Sequence, residues 1–319
     1  MEVEGRKFYD PTGTAQEGMA LLKSLGMNTI HLRVCVNPSP AWNNTADVVA
    51  KAIRAKNLGM HIMIDFQYCD YWADPGKQFK PAAWSSLSFT DLKKALYTYT
   101  RKVMQELKDQ GTVPDMVQVG NEINHGILCP EGNIANPDGL AQLINAGTAA
   151  VKSVDPNVIM MLHVALGGQN HESVFFIDNM IKRGVHFDVI GQSCYPKWHG
   201  TLPDLRDNLA DLARRYNKDV IVVEYSQLKN EVNTIAFEIP GERGKGACIW
   251  EPLSTWEAVF DKDGKSNDYL LTYDAISKQF LPSPQQGSAW KNLANYSRGV
   301  SPRLHRGAGL YAASPLPMK

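Results

Sequence analysis

The chain has 319 residues, 44% of them hydrophobic, with Lys+Arg and Asp+Glu both at 33 and a formal net charge of zero. The apolar share suffices for a sizeable core, while the charge balance supplies no field to draw in nucleic acid or an anionic membrane surface. No apolar run approaches the roughly 20 residues of a membrane span, and the opening MEVEGRKFYD holds no signal-peptide core, so a soluble chain without an address is expected.

Strand-like runs alternate with helical ones along the sequence. The strands are expected at Asn28–Val36, Met60–Phe66, Met116–Gly120, Val158–Val164, Phe187–Ser193, Asp219–Glu224 and Gly246–Trp250. Each is nearly all apolar, as a parallel strand covered on both faces should be. Helical periodicity falls at Gln16–Leu25, Ala46–Leu58, Leu92–Lys108, Gly139–Val154, Ser173–Lys182, Leu205–Tyr216 and Asp268–Phe280. Gly26, Gly59, Gly111 and Gly184 follow four of these helices, where a left-handed C-cap costs least. Repeated β–α order means a parallel sheet, closed or doubly wound. No glycine-rich phosphate turn follows a strand, and the polar and aromatic residues gather just after the strand ends, the pattern of a (β/α)8 TIM-type barrel whose site lies on its C-terminal face. Seven strands are counted where eight are needed, so the first is expected to be lacking. One catalytic domain over 1–280 is anticipated, followed by an irregular C-terminal extension over 281–319, rich in Pro, Ser and Gly and lying outside the barrel.

Two carboxylates stand out. Glu122, in VQVGNEINHG, and Glu224, in VIVVEYS, each close a buried strand on the expected catalytic rim. A lone Glu at a strand end is often a structural acceptor; two on one rim suit glycoside hydrolysis, which needs one protonated and one ionised carboxyl. Asn121, beside Glu122, is suited to hydrogen-bond a sugar hydroxyl. Other candidates have ordinary readings. Among Trp72, Trp84, Trp198, Trp250 and Trp256, only Trp198 and Trp250 rise above core aromatics, because they sit at strand ends. His163 reads as a satisfied barrel-interior histidine, and Asp70 and Asp74 as turn formers. Arg33, buried on a strand, needs a carboxylate partner, with Glu224 the candidate. Lys197 lies beyond Tyr195–Pro196, too far from a strand end for Schiff-base chemistry. Cys35, Cys69, Cys129, Cys194 and Cys248 are odd in number, widely spaced and without a CxxC pair; no disulfide framework, zinc site or other metal is expected, and each reads as a small buried hydrophobe.

The stretches LGMNTIHLRVCVNP, GMHIMIDFQYCDYWADPGKQ, VQVGNEINHGILCPEG, VIGQSCYPKWHGTL, VIVVEYS and GKGACIWEP, spread over roughly residues 16–280, resemble glycoside hydrolase family 53, the endo-β-1,4-galactanases of clan A. The resemblance implies retaining hydrolysis of β-1,4-galactan without cofactor, by an acid/base on the fourth strand and a nucleophile on the seventh, which here are Glu122 and Glu224. It assigns Asn121 to the sugar 2-hydroxyl, Arg33, His163 and Tyr195 to orienting the carboxylates and sugar, and Trp198 and Trp250 to stacking. Asp65, Gln67 and His199 complete the expected substrate-binding set. It also implies a monomer acting on a polysaccharide or oligosaccharide outside the cell. The sequence departs from the family pattern at His31, Cys35, Gln67, Cys69, Cys129, Gln192 and Cys194, and starts after the family's GADxS strand. Two alternatives stay open: another clan A β-glycanase with an altered substrate, and a truncated, inactive barrel that binds sugar.

Overall fold

The computed structural model describes residues 6–253 and 257–281 and the backbone of Gly309–Ala313. Eight parallel strands close a barrel. Seven follow the predicted order: β1 (Thr29–Val34), β2 (His61–Phe66), β3 (Met116–Val119), β4 (Ile159–Val164), β5 (Val189–Cys194), β6 (Asp219–Tyr225) and β7 (Gly244–Ile249). The eighth, β8 (Gly309–Ala313), comes from the segment expected to be irregular and to lie outside the barrel. It pairs with β7 from Gly246↔Gly309 to Ile249↔Ala312 and with β1 from Tyr311↔Thr29 to Ala313↔His31. The expectation for 281–319 is therefore corrected at 309–313, and the remainder of that segment lies outside the described residues. Seven strands would leave two rows of unpaired N–H and C=O groups, and a five-residue strand is enough to cover both. The N-terminal residues do not fill the gap. Phe8–Tyr9 pairs antiparallel with Ala15–Gln16, and Phe8 packs on Phe260.

If β8 closes the barrel, Ala312→Pro removes a ladder N–H and leaves its acceptor unpaired, a cost of about 1–3 kcal/mol. The expected result is a melting temperature lower by about 2–10 °C in a circular dichroism melt. An unchanged melt would show that this strand bears no load.

The helices arise where periodicity puts them: α1 (Gly18–Ser24), α2 (Thr45–Asn57), α3 (Phe89–Asp109), α4 (Pro137–Val154), α5 (Asn170–Lys182), α6 (Leu202–Tyr216) and α8 (Asp268–Phe280). Side-chain N-caps open several of them, including Asn44, Ser88 and Thr201, the last in a capping box with Asp204. The four glycines that follow helices all take positive φ, from 67° to 98°. Among the described residues two helices escaped the sequence reading, the single turn Pro196–His199 and the longer α7 (Lys229–Phe237). Two polar residues of α7, Lys229 and Asn233, are buried, so apolar spacing alone does not mark its inner face.

Alternation along the strands separates two environments. Ile30, Leu32, Val34, Ile62, Ile64, Phe66, Val117 and Val119 join the large core under the helices. Met63, Met116, Ile159, Met161, Val189, Ile221, Val223 and Cys248 form a separate cluster that fills the lumen. Nearer the C-terminal ends the lumen turns polar, with buried His31, Arg33, Asp65, Gln118, His163 and Ser193. These side chains form the floor of the site.

Candidate active site

Glu122 is presented by a strained turn. Gly120 follows β3 at φ +91°, where a Cβ would lie 2.5 Å from both Ile123 and Ile127. Glu122 itself sits in the left-handed region at φ 50°, ψ 52°, which a side-chain-bearing residue adopts at a cost of about 1–3 kcal/mol. Glu224 lies on β6, where the pairing with β5 shifts register between Val222 and Glu224. The two carboxylates meet. One oxygen of each, together with a ring nitrogen of His163, lie within 4.8 Å of one another.

Each carboxylate has its own donor. The Tyr195 hydroxyl donates to Glu224 Oε1 at 2.8 Å, and the Ser193 hydroxyl donates to Glu122 Oε1 at 2.5 Å. Behind Ser193 stands a chain whose directions can be fixed. Gln118 Nε2 can only donate, and its nearest acceptors are Asp65 Oδ1 at 2.8 Å and His163 Nδ1 at 3.1 Å, with Asn121 Oδ1 at 3.2 Å sharing its second hydrogen. His163 therefore accepts at Nδ1. Burial holds its pKa well below the usual value, so the ring is neutral and carries its one hydrogen on Nε2, 2.9 Å from the Ser193 oxygen. With that oxygen accepting from His163, the serine hydrogen is turned onto Glu122. A metal held by Glu122, His163 and Glu224 would need a histidine lone pair, and the one on Nδ1 already accepts from Gln118.

Burial raises the Glu122 carboxyl to about 7 against the opposing pull of Ser193. Glu224 is raised well above the ordinary carboxylate value, first by burial and next by the charge of Glu122, while the Tyr195 hydroxyl and the Arg33 charge favour its ionised form. Two buried carboxyls this close hold a single proton between them through neutral pH.

The other predicted residues divide into those at the carboxylates and those that support them. Asp65 is raised to about 7 by burial and accepts from Gln67 and Gln118. Gln67 spends its amide on Asp65 (2.8 Å) and on the Ala73 N–H (2.9 Å), so it braces the β2 loop. Asn121 sits next to Glu122 with its Nδ2 donating to the Ala73 carbonyl at 2.9 Å. His199 places Nδ1 3.0 Å from the Ser193 carbonyl and its ring 5.8 Å from that of Tyr195, bracing the turn after β5. Trp198 is half exposed on that turn, its ring 6.0 Å from Tyr195. Trp250 lies over Arg33, the guanidinium carbon 4.4 Å from the ring centre. The expected partner of Arg33 is corrected: its Nη2 meets Glu251 at 3.1 Å rather than Glu224, because β7 ends beside β8 and β1 and delivers Glu251 to the arginine. Trp84 is buried against Tyr68 and Tyr99, a core aromatic. Trp72 bonds Asp74 through its indole N–H, and Trp256 lies outside the described residues. Asp70 and Asp74 accept backbone N–H groups of Ala82 and Gly76, the turn role expected for them. Sequence reasoning missed Gln118 and Ser193, and it placed Glu251 just after a strand without giving it a role. The available signal for the first two was a polar residue at a lumen-facing position of an otherwise apolar strand.

A closed β/α barrel with paired buried carboxyls at its C-terminal rim has the architecture of a TIM-barrel glycoside hydrolase. Residues 1–237 match the profile of Glycosyl hydrolase family 53, and the chain belongs to that family. A Niallia circulans relative, an uncharacterized protein in the bgaB 5' region, is 44% identical over 293 residues, 79% of this chain and 80% of that protein. An arabinogalactan endo-beta-1,4-galactanase of Thermothelomyces thermophilus is 32% identical over 284 residues, 79% of this chain and 85% of its own. Among solved structures, the Ignisphaera aggregans GH53 catalytic domain superposes with a TM-score of 0.81 at 31% identity, over 86% of this chain and 92% of that one. No helix among the described residues is long and apolar enough to cross a membrane.

Proposed function

We propose that this family 53 hydrolase cleaves β-1,4-galactan internally and with retention, Glu122 serving as acid/base and Glu224 as nucleophile. The observation that carries the reading is the approach of the two carboxylates to within 4.8 Å. A retaining pair stands about 5–5.5 Å apart, whereas an inverting pair needs about 6.5–9.5 Å to admit water between. In the first step Glu122 gives its proton to the leaving oxygen while Glu224 attacks the anomeric carbon. In the second, Glu122 takes a proton from water, which displaces Glu224. With Oε1 of Glu122 occupied by the Ser193 hydroxyl, the transferable proton belongs on Oε2. Tyr195 holds the nucleophile, and Trp198 and Trp250 offer faces to the apolar side of a pyranose. A polymer substrate does not cross a membrane intact, which favours action outside the cell.

The test is the anomeric configuration of the first product. Proton NMR of a β-1,4-galactan digest should show the β-anomer before mutarotation builds up the α form, and an α-anomer appearing first would remove the double displacement. Reducing-sugar release from galactan, xylan and mannan side by side addresses the substrate, with galactan expected to lead by at least about tenfold, some 1.4 kcal/mol of transition-state binding.

Ser193 offers a second check. Its hydroxyl stabilises the ionised form of Glu122, so Ser193→Ala should let Glu122 keep its proton to higher pH. Since an acid works only while protonated, the alkaline limb of kcat/KM moves up. A limb that stays in place would mean Glu122 is not the acid.

A further inference from the structure

The sulfur atoms of Cys35 and Cys69 lie 3.1 Å apart, although 34 positions separate the two residues in sequence. Both are buried and both are thiols. Cys35 follows β1 directly, and Cys69 lies three residues beyond β2, in the loop that brings Gln67 and Ala73 to the site. The backbone already joins the two places, since the Val36 N–H donates to the Cys69 carbonyl at 2.8 Å. The Cys35 thiol is also 3.2 Å from the Tyr71 carbonyl, within the same loop. A disulfide requires the sulfurs to close to about 2.05 Å, an approach of about 1 Å from where they stand. Other cysteines face elsewhere: Cys248 lies 3.8 Å from His31 Nδ1, and Cys129 accepts from Asn133 at 3.8 Å.

We infer that Cys35 and Cys69 are a redox pair that forms a reversible disulfide, fastening the Gln67–Ala73 loop to the C-terminal end of β1. The oxidant is a small disulfide. One cysteine thiolate attacks an oxidant sulfur and expels a thiol, giving a mixed disulfide. The second cysteine then attacks the protein sulfur of that bond and expels the other thiol. One S–S bond is broken and one made; the protein loses two hydrogens, and the oxidant leaves as two thiols. Contact with Cys35, then burial, hold the Cys69 thiol far above the usual value, so in the folded state the exchange is slow and proceeds through local opening.

The consequence reaches the site through bonds already described. Gln67 holds Asp65 and the Ala73 N–H, and Asn121 holds the Ala73 carbonyl. Tying Cys69 to β1 thus restrains the loop on which Gln67 and Asn121 lean, and which carries the exposed Tyr71. The pairing was hidden in the sequence, where the cysteines stand far apart; two parallel neighbouring strands bring them side by side.

The experiment equilibrates the full-length chain in glutathione buffers from reducing to oxidising, quenches with acid, alkylates under denaturing conditions and maps the peptides by mass spectrometry. Under oxidising buffer the expected result is a single cross-link, Cys35 to Cys69, with the other three cysteines alkylated, and five alkylated cysteines after reduction. Reduction should lower the melting temperature by about 5–10 °C, and Cys35→Ser should melt at the same temperature with and without reductant. Five alkylated cysteines at the oxidising end, or a cross-link between any other pair, overturns the inference. The mapping on the unaltered chain decides the matter even if Cys35→Ser fails to fold.

Discussion

Glu224→Ala should lower kcat on β-1,4-galactan by on the order of 10⁴-fold or more, because removing the covalent nucleophile of a two-step displacement deletes the route itself. A merely structural Glu224 would give a different number. Its described hydrogen bond is to Tyr195, and losing one hydrogen bond to a charged group costs about 1.5–3 kcal/mol, a loss of roughly 10- to 150-fold. Steady-state kinetics with the purified variant therefore separates the readings by about two orders of magnitude. The alanine also opens space beside the anomeric carbon. Added azide should restore turnover of a substrate with a good leaving group, and the glycosyl azide should have the configuration opposite to that of the wild-type product. In the same variant Glu122 no longer faces a negative neighbour. Repulsion favours protonation, so its removal lowers the pKa of Glu122, which a carbon-13 NMR titration of labelled glutamate in the variant reads directly. A variant retaining more than about a tenth of the wild-type rate would end the assignment of Glu224 as nucleophile.

Much of this architecture was legible because the physics is local. Strands such as VIVVEY are buried on both faces and so read as continuous apolar runs, and helices such as Phe89–Asp109 declare themselves by one apolar stripe with caps at the ends. Both carboxylates were legible because each follows such a run at once, which in a barrel leads to one rim. What stayed hidden is non-local. The segment GLYAA is short and isolated among Pro, Ser and Gly, and becomes a strand only because β1 and β7 offer it two unpaired edges. The hydrogen-bond chain through Gln118, His163 and Ser193 spans three strands, and no spacing rule within one strand can show that their side chains meet. The contact of Cys35 with Cys69 is of the same kind.

Arg33 shows how a correct local inference can reach the wrong partner, and its substitution carries the second large effect. A buried arginine requires a carboxylate, and sequence offered Glu224 because that residue was already marked; the structure supplies Glu251, with both side chains almost wholly buried. Arg33→Met keeps the volume but leaves the Glu251 carboxylate in a low-dielectric site without its guanidinium. Breaking one half of a buried pair costs about 3–5 kcal/mol, which at about 2 °C per kcal/mol lowers the melting temperature by about 6–10 °C. The double variant Arg33→Met with Glu251→Gln should recover a good part of that loss, since the remaining group is then neutral, and a double variant as unstable as the sum of the two singles would show that the pair has no coupling. Catalysis should report a separate effect. The positive charge of Arg33 favours the ionised form of Glu224, so without it the carboxyl holds its proton to higher pH. A nucleophile works only while ionised, hence the acid limb of kcat/KM should move up in Arg33→Met. That shift should persist in the double variant, where stability recovers but the positive charge is still missing, and its persistence distinguishes electrostatic tuning of the nucleophile from general loosening of the barrel.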